Sequence, residues 1–194
     1  MQIIRFAELK AEPWRNGGGV TREIARQDAA GGGWDWRVSI ADVTKAGDFS
    51  EFPGMERVLT VIDGELLLLT VDGAEQPVEK YRPFRFDGGA ATTGSLPTGD
   101  IRDLNVITRA AAYKGYTSIL ELSKKRAHPV FEGQLAVLLQ GQAMVSEGGS
   151  DQADSEPLEL GRYDAVAGSD ANSPGILGRG FLAVVSINPV EPAT

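Results

Sequence analysis

The chain has 194 residues, 42% hydrophobic and 24% charged, enough to bury a core as one large domain or two lobes. A net charge of -8 argues against generic nucleic-acid binding and against docking on anionic membranes, both of which need a positive field. There is no cysteine and one histidine, His128. Those counts exclude disulfides, thiolate chemistry and any single-chain metal site built on two or three histidines.

The start, Met1-Gln2-Ile3-Ile4-Arg5, does not read as a signal peptide. No apolar run approaches the length of a transmembrane helix, so cytoplasmic residence is expected. Residues 6–10 and 110–112 are the only stretches with a brief helical character.

Next comes a corner, Pro13-Trp14-Arg15-Asn16-Gly17-Gly18-Gly19, that feeds Val20-Thr21-Arg22-Glu23-Ile24. The latter alternates apolar and polar with the period of a strand, placing Thr21 and Glu23 on one face. Three glycines can expose backbone N–H groups as an anion nest, and the Asn16 amide both donates and accepts. An Asn-Gly pair is also a strong turn signal, so a turn and a binding rim both stay open. The glycines do not form a phosphate loop, because no lysine follows them, nor a dinucleotide fingerprint, because Arg22 stands where its last glycine belongs.

Further strands are expected at 3–5, 21–26, 36–43, 57–63, 66–72 and 103–108. Later ones are expected at 116–122, 136–140, 142–145, 164–167 and 181–187. Turn signals separate them at Asp63-Gly64, Asp72-Gly73, Asp87-Gly88-Gly89, Gln140-Gly141 and Glu147-Gly148-Gly149. The polar segment 149–156 reads as an exposed loop tip and the tail after Pro189 as frayed.

The two halves echo one another. Residues 57–68 followed by 81–88, and 134–145 followed by 160–166, each read as strand, Gly turn, strand, loop and an aromatic return segment. The fold class expected is all-β with very little helix: two cupin-like jelly-roll β-barrels packed together, over residues 1–112 and 113–194.

The run Pro13 to Ile24 resembles the HutD/Ves family of bicupins. The resemblance continues through Trp36-Arg37-Val38-Ser39-Ile40-Ala41-Asp42-Val43, then Gly47 to Arg57, then Asp103-Leu104-Asn105-Val106-Ile107-Thr108-Arg109. It implies a two-barrel cupin fold and a link to histidine utilisation, with binding of a small pathway metabolite such as formylglutamate or urocanate to tune the pathway. It implies no particular reaction. Metal cupins carry two histidines and a glutamate on the first hairpin, where this chain has Glu56 and Arg57. No metal or other cofactor is therefore expected.

Without metal, a small acid must be held by arginine forks and backbone donors. The pocket residues expected are Trp14, Asn16, Gly17, Gly18, Gly19, Thr21 and Glu23 from the corner and its strand. Arg57, Phe84, Asp103, Asn105 and Arg109 are expected to complete it from strands that follow. Arg57 and Arg109 sit at strand ends, where solvated arginines are also found. Asp103 and Asn105 share one strand face, lining a cavity or facing solvent. Trp34, Trp36 and Phe86 are candidates for an aromatic wall or for core packing, and His128 reads as incidental.

The leading expectation is a metal-free binder of a small carboxylate metabolite that regulates histidine breakdown. No nucleic acid or membrane is expected as a partner, and a homodimer stays open. Two alternatives remain: a metal-independent isomerase or hydrolase with Glu23 or Asp103 as general base, and a protein-interaction scaffold.

Overall fold

The computed structural model describes residues 1–148 and 156–191. Residues 149–155 of the expected loop tip and the last residues of the tail lie outside these. In chain order the strands are β1 (Gln2–Ile4), β2 (Glu12–Pro13), β3 (Gly19–Asp28), β4 (Trp34–Val43), β5 (Gly47–Asp48) and β6 (Met55–Asp63). They continue as β7 (Leu66–Val71), β8 (Ala74–Glu79), β9 (Phe84–Asp87), β10 (Thr92–Ser95), β11 (Ile101–Arg109) and β12 (Tyr113–Glu121). The last are β13 (His128–Pro129), β14 (Gln134–Ser146), β15 (Leu158–Leu160), β16 (Ala165–Ala167) and β17 (Gly175–Pro189). Among the described residues the only helix is one 3-10 turn, Phe6–Glu8. Residues 110–112 form a turn instead of a helix, closed by Ala112 N–H donating to the Arg109 carbonyl. Among the described residues no helix is long and apolar enough to cross a membrane.

Contacts divide the chain into two units. One comprises Met1–Leu9 and Thr117–Ile187, the other Lys10–Tyr116 and Asn188–Thr194. The first nine residues therefore group with the later part of the chain: β1 pairs antiparallel with β16, Ile3 opposite Val166. Strand pairing gives one sheet in the order β1-β16-β14-β17-β12, with β13 and β15 at its side. The unit beginning at Lys10 holds two sheets, β5-β10-β7-β8 and β2-β3-β4-β11-β6-β9.

The Asp63-Gly64 signal joins two sheets and is not a hairpin, because β6 and β7 pair with different neighbours. Asp72-Gly73 is a hairpin turn, with Val71 opposite Ala74 and both turn residues at positive φ. Gln140-Gly141 is no turn at all. It lies inside the single strand β14, which runs past it along β17 through a bulge between Leu138 and Gln140. Gly141 and its partner Gly180 make this bend possible: a Cβ on either would fall within 2 Å of the opposite carbonyl oxygen (1.9 and 1.8 Å).

In the two-sheet unit, Leu59, Val61 and Phe86 from the six-stranded sheet pack on Leu67, Leu69 and Val78 from the four-stranded one. Each such side chain contributes about 1.5–3 kcal/mol by leaving water. The opposite face of β4, β6 and β11 is also closed, with Val38, Ile40, Val58, Ile62, Leu104 and Val106 at 4% exposure or less. Both faces of the middle of these strands are therefore buried, and the polar side chains of Ser39, Arg57, Asp103 and Asn105 sit inside the protein. In the other unit, Ala136, Leu138, Val145, Leu182 and Val184 form a wholly apolar core.

Candidate functional site

The register of the six-stranded sheet sets out the site. Across β3, β4, β11 and β6, Glu23 is opposite Ser39, Ser39 opposite Asn105, and Asn105 opposite Leu59. In the next row of the same face, Arg37 is opposite Ile107, Ile107 opposite Arg57, and Arg57 opposite Phe86. In the row on the other side, Thr21, Ala41, Asp103 and Val61 are aligned. Alternation along each strand thus brings two guanidinium groups, a hydroxyl, an amide and a carboxyl to one face. Of these, Arg37, Arg57, Ser39, Thr21 and Asn105 border a cavity of about 590 Å³, which Phe49, Ser50 and Phe52 also line.

Arg57 is the central group. It is 4% exposed, its Nη2 donates to Asn105 Oδ1 at 2.8 Å, and its Nη1 donates to the Ser50 carbonyl at 3.2 Å. Its Cζ lies 5.1, 5.6 and 5.7 Å from the ring centres of Phe86, Phe49 and Phe52. Aromatic faces offset part of the cost of burying a cation, by about 0.5–2 kcal/mol each. Burial nevertheless lowers its pKa to about 10, with Asp103 acting to raise it and Arg37 to lower it further. It stays charged at neutral pH. Among the described residues no carboxylate comes within ion-pair distance of it, and its Nε is buried without a hydrogen-bond partner.

Asn105 passes the chain of contacts on. Its Nδ2 donates to Asp103 Oδ1, and Asp103 is fully buried with Oδ2 unpartnered. Burial lifts the Asp103 pKa to about 7; Arg57 pulls it back and Asp42 adds to the rise. Asp103 and Asn105 therefore both face inward, not solvent, although only Asn105 reaches the cavity wall.

Arg37 lines the cavity too. Its guanidinium lies over Trp34, 5.5 Å from the ring centre, and its Nε is 4.0 Å from Glu23 Oε2. That Nε is buried and makes no hydrogen bond. Arg37 and Ser39 are pocket residues that sequence reasoning passed over. Their alternation on 36–43 was visible, but their adjacency to Asn105 depends on which strands pair.

The glycine corner turns out to be a closed turn that carries a wall residue. Gly17 N–H donates to the Trp14 carbonyl at 3.0 Å, and Gly18 N–H to Asn16 Oδ1 at 2.9 Å. Gly19 sits in the ladder opposite Val43. These donors are consumed locally, so the expected anion nest does not form, and the three glycines are not among the cavity-lining residues. Gly19 has a different reason to be glycine: a Cβ there would lie 2.5 Å from the Asp42 carbonyl oxygen and 3.0 Å from the Trp14 indole. Trp14 lies over that glycine, donates through Nε1 to Thr21 Oγ1 at 2.8 Å and packs edge-on against Phe49. Asn16 is an exposed rim residue tied to the Asp48 carbonyl.

Three other expected pocket residues lie elsewhere. Phe84 stacks on Phe86 at 5.6 Å and packs into the core below the cavity. Glu23 stands beside the cavity against Arg37 and Arg26. Arg109 pairs with Asp35 at 2.7 Å and is not a lining residue; the carboxylate at that strand end claims it. Trp36 bonds Gln27 outside the pocket. His128 is half-buried in a two-residue strand opposite Ile176, and burial lowers its pKa. Among the described residues no group of three His, Asp or Glu side chains is placed to hold a metal ion.

Comparison with known proteins adds the following. The HutD family model matches residues 6–183. A 21.2 kDa protein of the hutC 3' region of Pseudomonas putida is 39% identical over 116 residues, 59% of this chain and 61% of that one. Protein Ves of Citrobacter koseri is 37% identical over 56% of this chain and 58% of that one. These matches thus span about three fifths of the curated relatives' lengths. The structure of HutD from Pseudomonas fluorescens SBW25, in a formate condition, superposes with a TM-score of 0.78 at 29% identity, covering 97% of this chain and 98% of that one. A cupin 2 conserved barrel domain protein from Leptotrichia buccalis gives a TM-score of 0.64 at 8% identity over 96% of each chain, a likeness of fold.

Proposed function

From the premise that this chain belongs to the HutD family, we propose that it is a metal-free, cytoplasmic bicupin that binds a small carboxylate metabolite, formylglutamate- or urocanate-like, and helps regulate histidine catabolism. The two cupin-like jelly rolls would correspond to the two units of the chain. The ligand would occupy the cavity between Arg57 and Arg37.

The observation that carries this reading is the state of Arg57. A buried guanidinium with an unpartnered Nε and, among the described residues, no carboxylate at ion-pair distance is poised to accept one from a ligand. Charge-assisted hydrogen bonds of this kind contribute about 1.5–3 kcal/mol each. Ser39 and Asn105 stand beside it to orient the second oxygen, and Trp14, Phe49 and Phe52 offer an apolar wall for the body of the molecule. The hutC-region name of a relative supports the link to histidine breakdown. A general-base reading on Asp103 has less support, because that carboxyl is not a lining residue.

Calorimetric titration with formylglutamate, urocanate, glutamate and formate tests the reading. One saturable site, with affinity reduced about 100-fold in Arg57→Ala, is the expected result. No saturable heat from any of the four would overturn it.

A further inference from the structure

We infer that Asp103 is a positioning residue of the Arg57 anion site, holding Asn105 so that its carbonyl oxygen faces Arg57, and that an anion enters the cavity together with a proton on Asp103. This rests on the binding reading above.

The geometry is a three-residue line. Asp103 and Asn105 are two residues apart on β11 and so share a face, and Asn105 touches the carboxyl with its NH2 end and Arg57 with its carbonyl end. A primary amide has one accepting and one donating end. With an acceptor on one side and a cation on the other, a single orientation satisfies both. Turned over, the amide would set donor against donor at Arg57 and acceptor against carboxylate at Asp103.

The proton follows from burial. Asp103 is fully buried and its Oδ2 has no partner among the described residues. An ionised carboxylate there is supported electrostatically by Arg57, one amide away. An anion docking on Arg57 takes over that support and adds a negative charge of its own, so the carboxyl then favours its neutral form. The charges around it act in the same balance. On β4, Asp42 opposes ionisation but is itself paired with Arg22 of β3 and with Arg102 of β11. Arg37 of β4 and the lining residues Glu12, Arg15 and Asp48 carry the other charges at the cavity, with Glu23 of β3 beside Arg37. The ligand-free carboxyl titrates at about 7, within reach of this coupling.

The test is calorimetry of N-formylglutamate with wild type, Asp103→Asn and Asp103→Leu. For one linked proton, wild-type affinity falls about tenfold between about pH 6 and about pH 8. Buffers of different ionisation heat should report net proton uptake on binding. Asp103→Asn keeps an acceptor for Asn105 and should bind with no pH dependence; Asp103→Leu removes the acceptor and should bind weakly at every pH. Equal wild-type affinity at both pH values, pH dependence retained in Asp103→Asn, or Asp103→Leu binding as well as Asp103→Asn overturns this inference alone. No saturable heat in wild type at any pH overturns the binding reading itself. A 13C NMR titration of the ligand-free protein then decides Asp103 independently: a carboxyl titrating in the ordinary carboxylate range overturns the inference whatever binds.

Discussion

Two buried aspartates, one in each unit, show how differently the same side chain can be used. Asp164 is 6% exposed and fully engaged: Oδ1 accepts from Phe6 N–H, and Oδ2 from Arg5 Nη1 and Gly161 N–H. It fastens the first residues of the chain to the turn before β16. Asp103 is more deeply buried yet receives one hydrogen bond, and its neighbouring cation is held at arm's length by Asn105. A carboxylate with both oxygens answered is a fastening. One left half-answered, beside a cavity lined by an arginine with no carboxylate at ion-pair distance among the described residues, is what the proposed site would use.

Substitutions test this contrast. Asp164→Ala should cost about 3 kcal/mol in chemical denaturation, because it leaves Arg5 and two backbone donors without their acceptor. Arg57→Met should cost less, about 1–2 kcal/mol at about pH 5 where Asp103 carries its proton, since it leaves only Asn105 Oδ1 and the Ser50 carbonyl without their donor. If Arg57→Met proves the more damaging of the two, the distinction between fastening and site fails.

Asp103→Asn should change stability with the opposite sign. The folded carboxyl holds its proton up to about pH 7, whereas the unfolded one releases it near the ordinary aspartate value of 3.8. The folded state therefore binds the extra proton between those limits, and wild-type stability from this group is full below about pH 4 and lost as pH rises to about 7. Relative to wild type, Asp103→Asn should gain up to a few kcal/mol on going from about pH 4 to about pH 8, measured by urea midpoints. A difference that does not change with pH would contradict the burial argument.

Smaller effects test the rim. Asn16→Ala removes the side-chain acceptor of Gly18 N–H and should cost about 1 kcal/mol of stability. Arg109→Ala breaks a half-exposed pair with Asp35 and should cost about 0.5 kcal/mol or less, leaving ligand affinity unchanged. A large loss of affinity in Arg109→Ala would place the pocket elsewhere.

How far the sequence spoke for itself depends on what each residue needed. Strand period and turn chemistry were enough for the all-β class, for a turn at Asp72-Gly73 and for the shared face of Asp103 and Asn105. They could not say that this face looks inward, because that depends on the second face, carrying Leu104 and Val106, being buried as well. Arg37 and Ser39 were legible as alternating polar residues but not as neighbours of Arg57, since register across three strands is a tertiary fact. The Gly17-Gly18-Gly19 corner was visible as a corner, while the partners that consume its N–H groups come from Asn16, Trp14 and the ladder. At Gln140-Gly141 the turn signal misled because glycine serves a bend inside a strand as well as the end of one.

The most direct test of the Arg57 site is a 1H–15N NMR titration that follows the Arg57 Nε–H and Asn105 side-chain signals as N-formylglutamate is added. Saturable shifts of both are expected, with signals around Asp164 unmoved. Shifts confined to other residues, or none at saturating concentration, would contradict it.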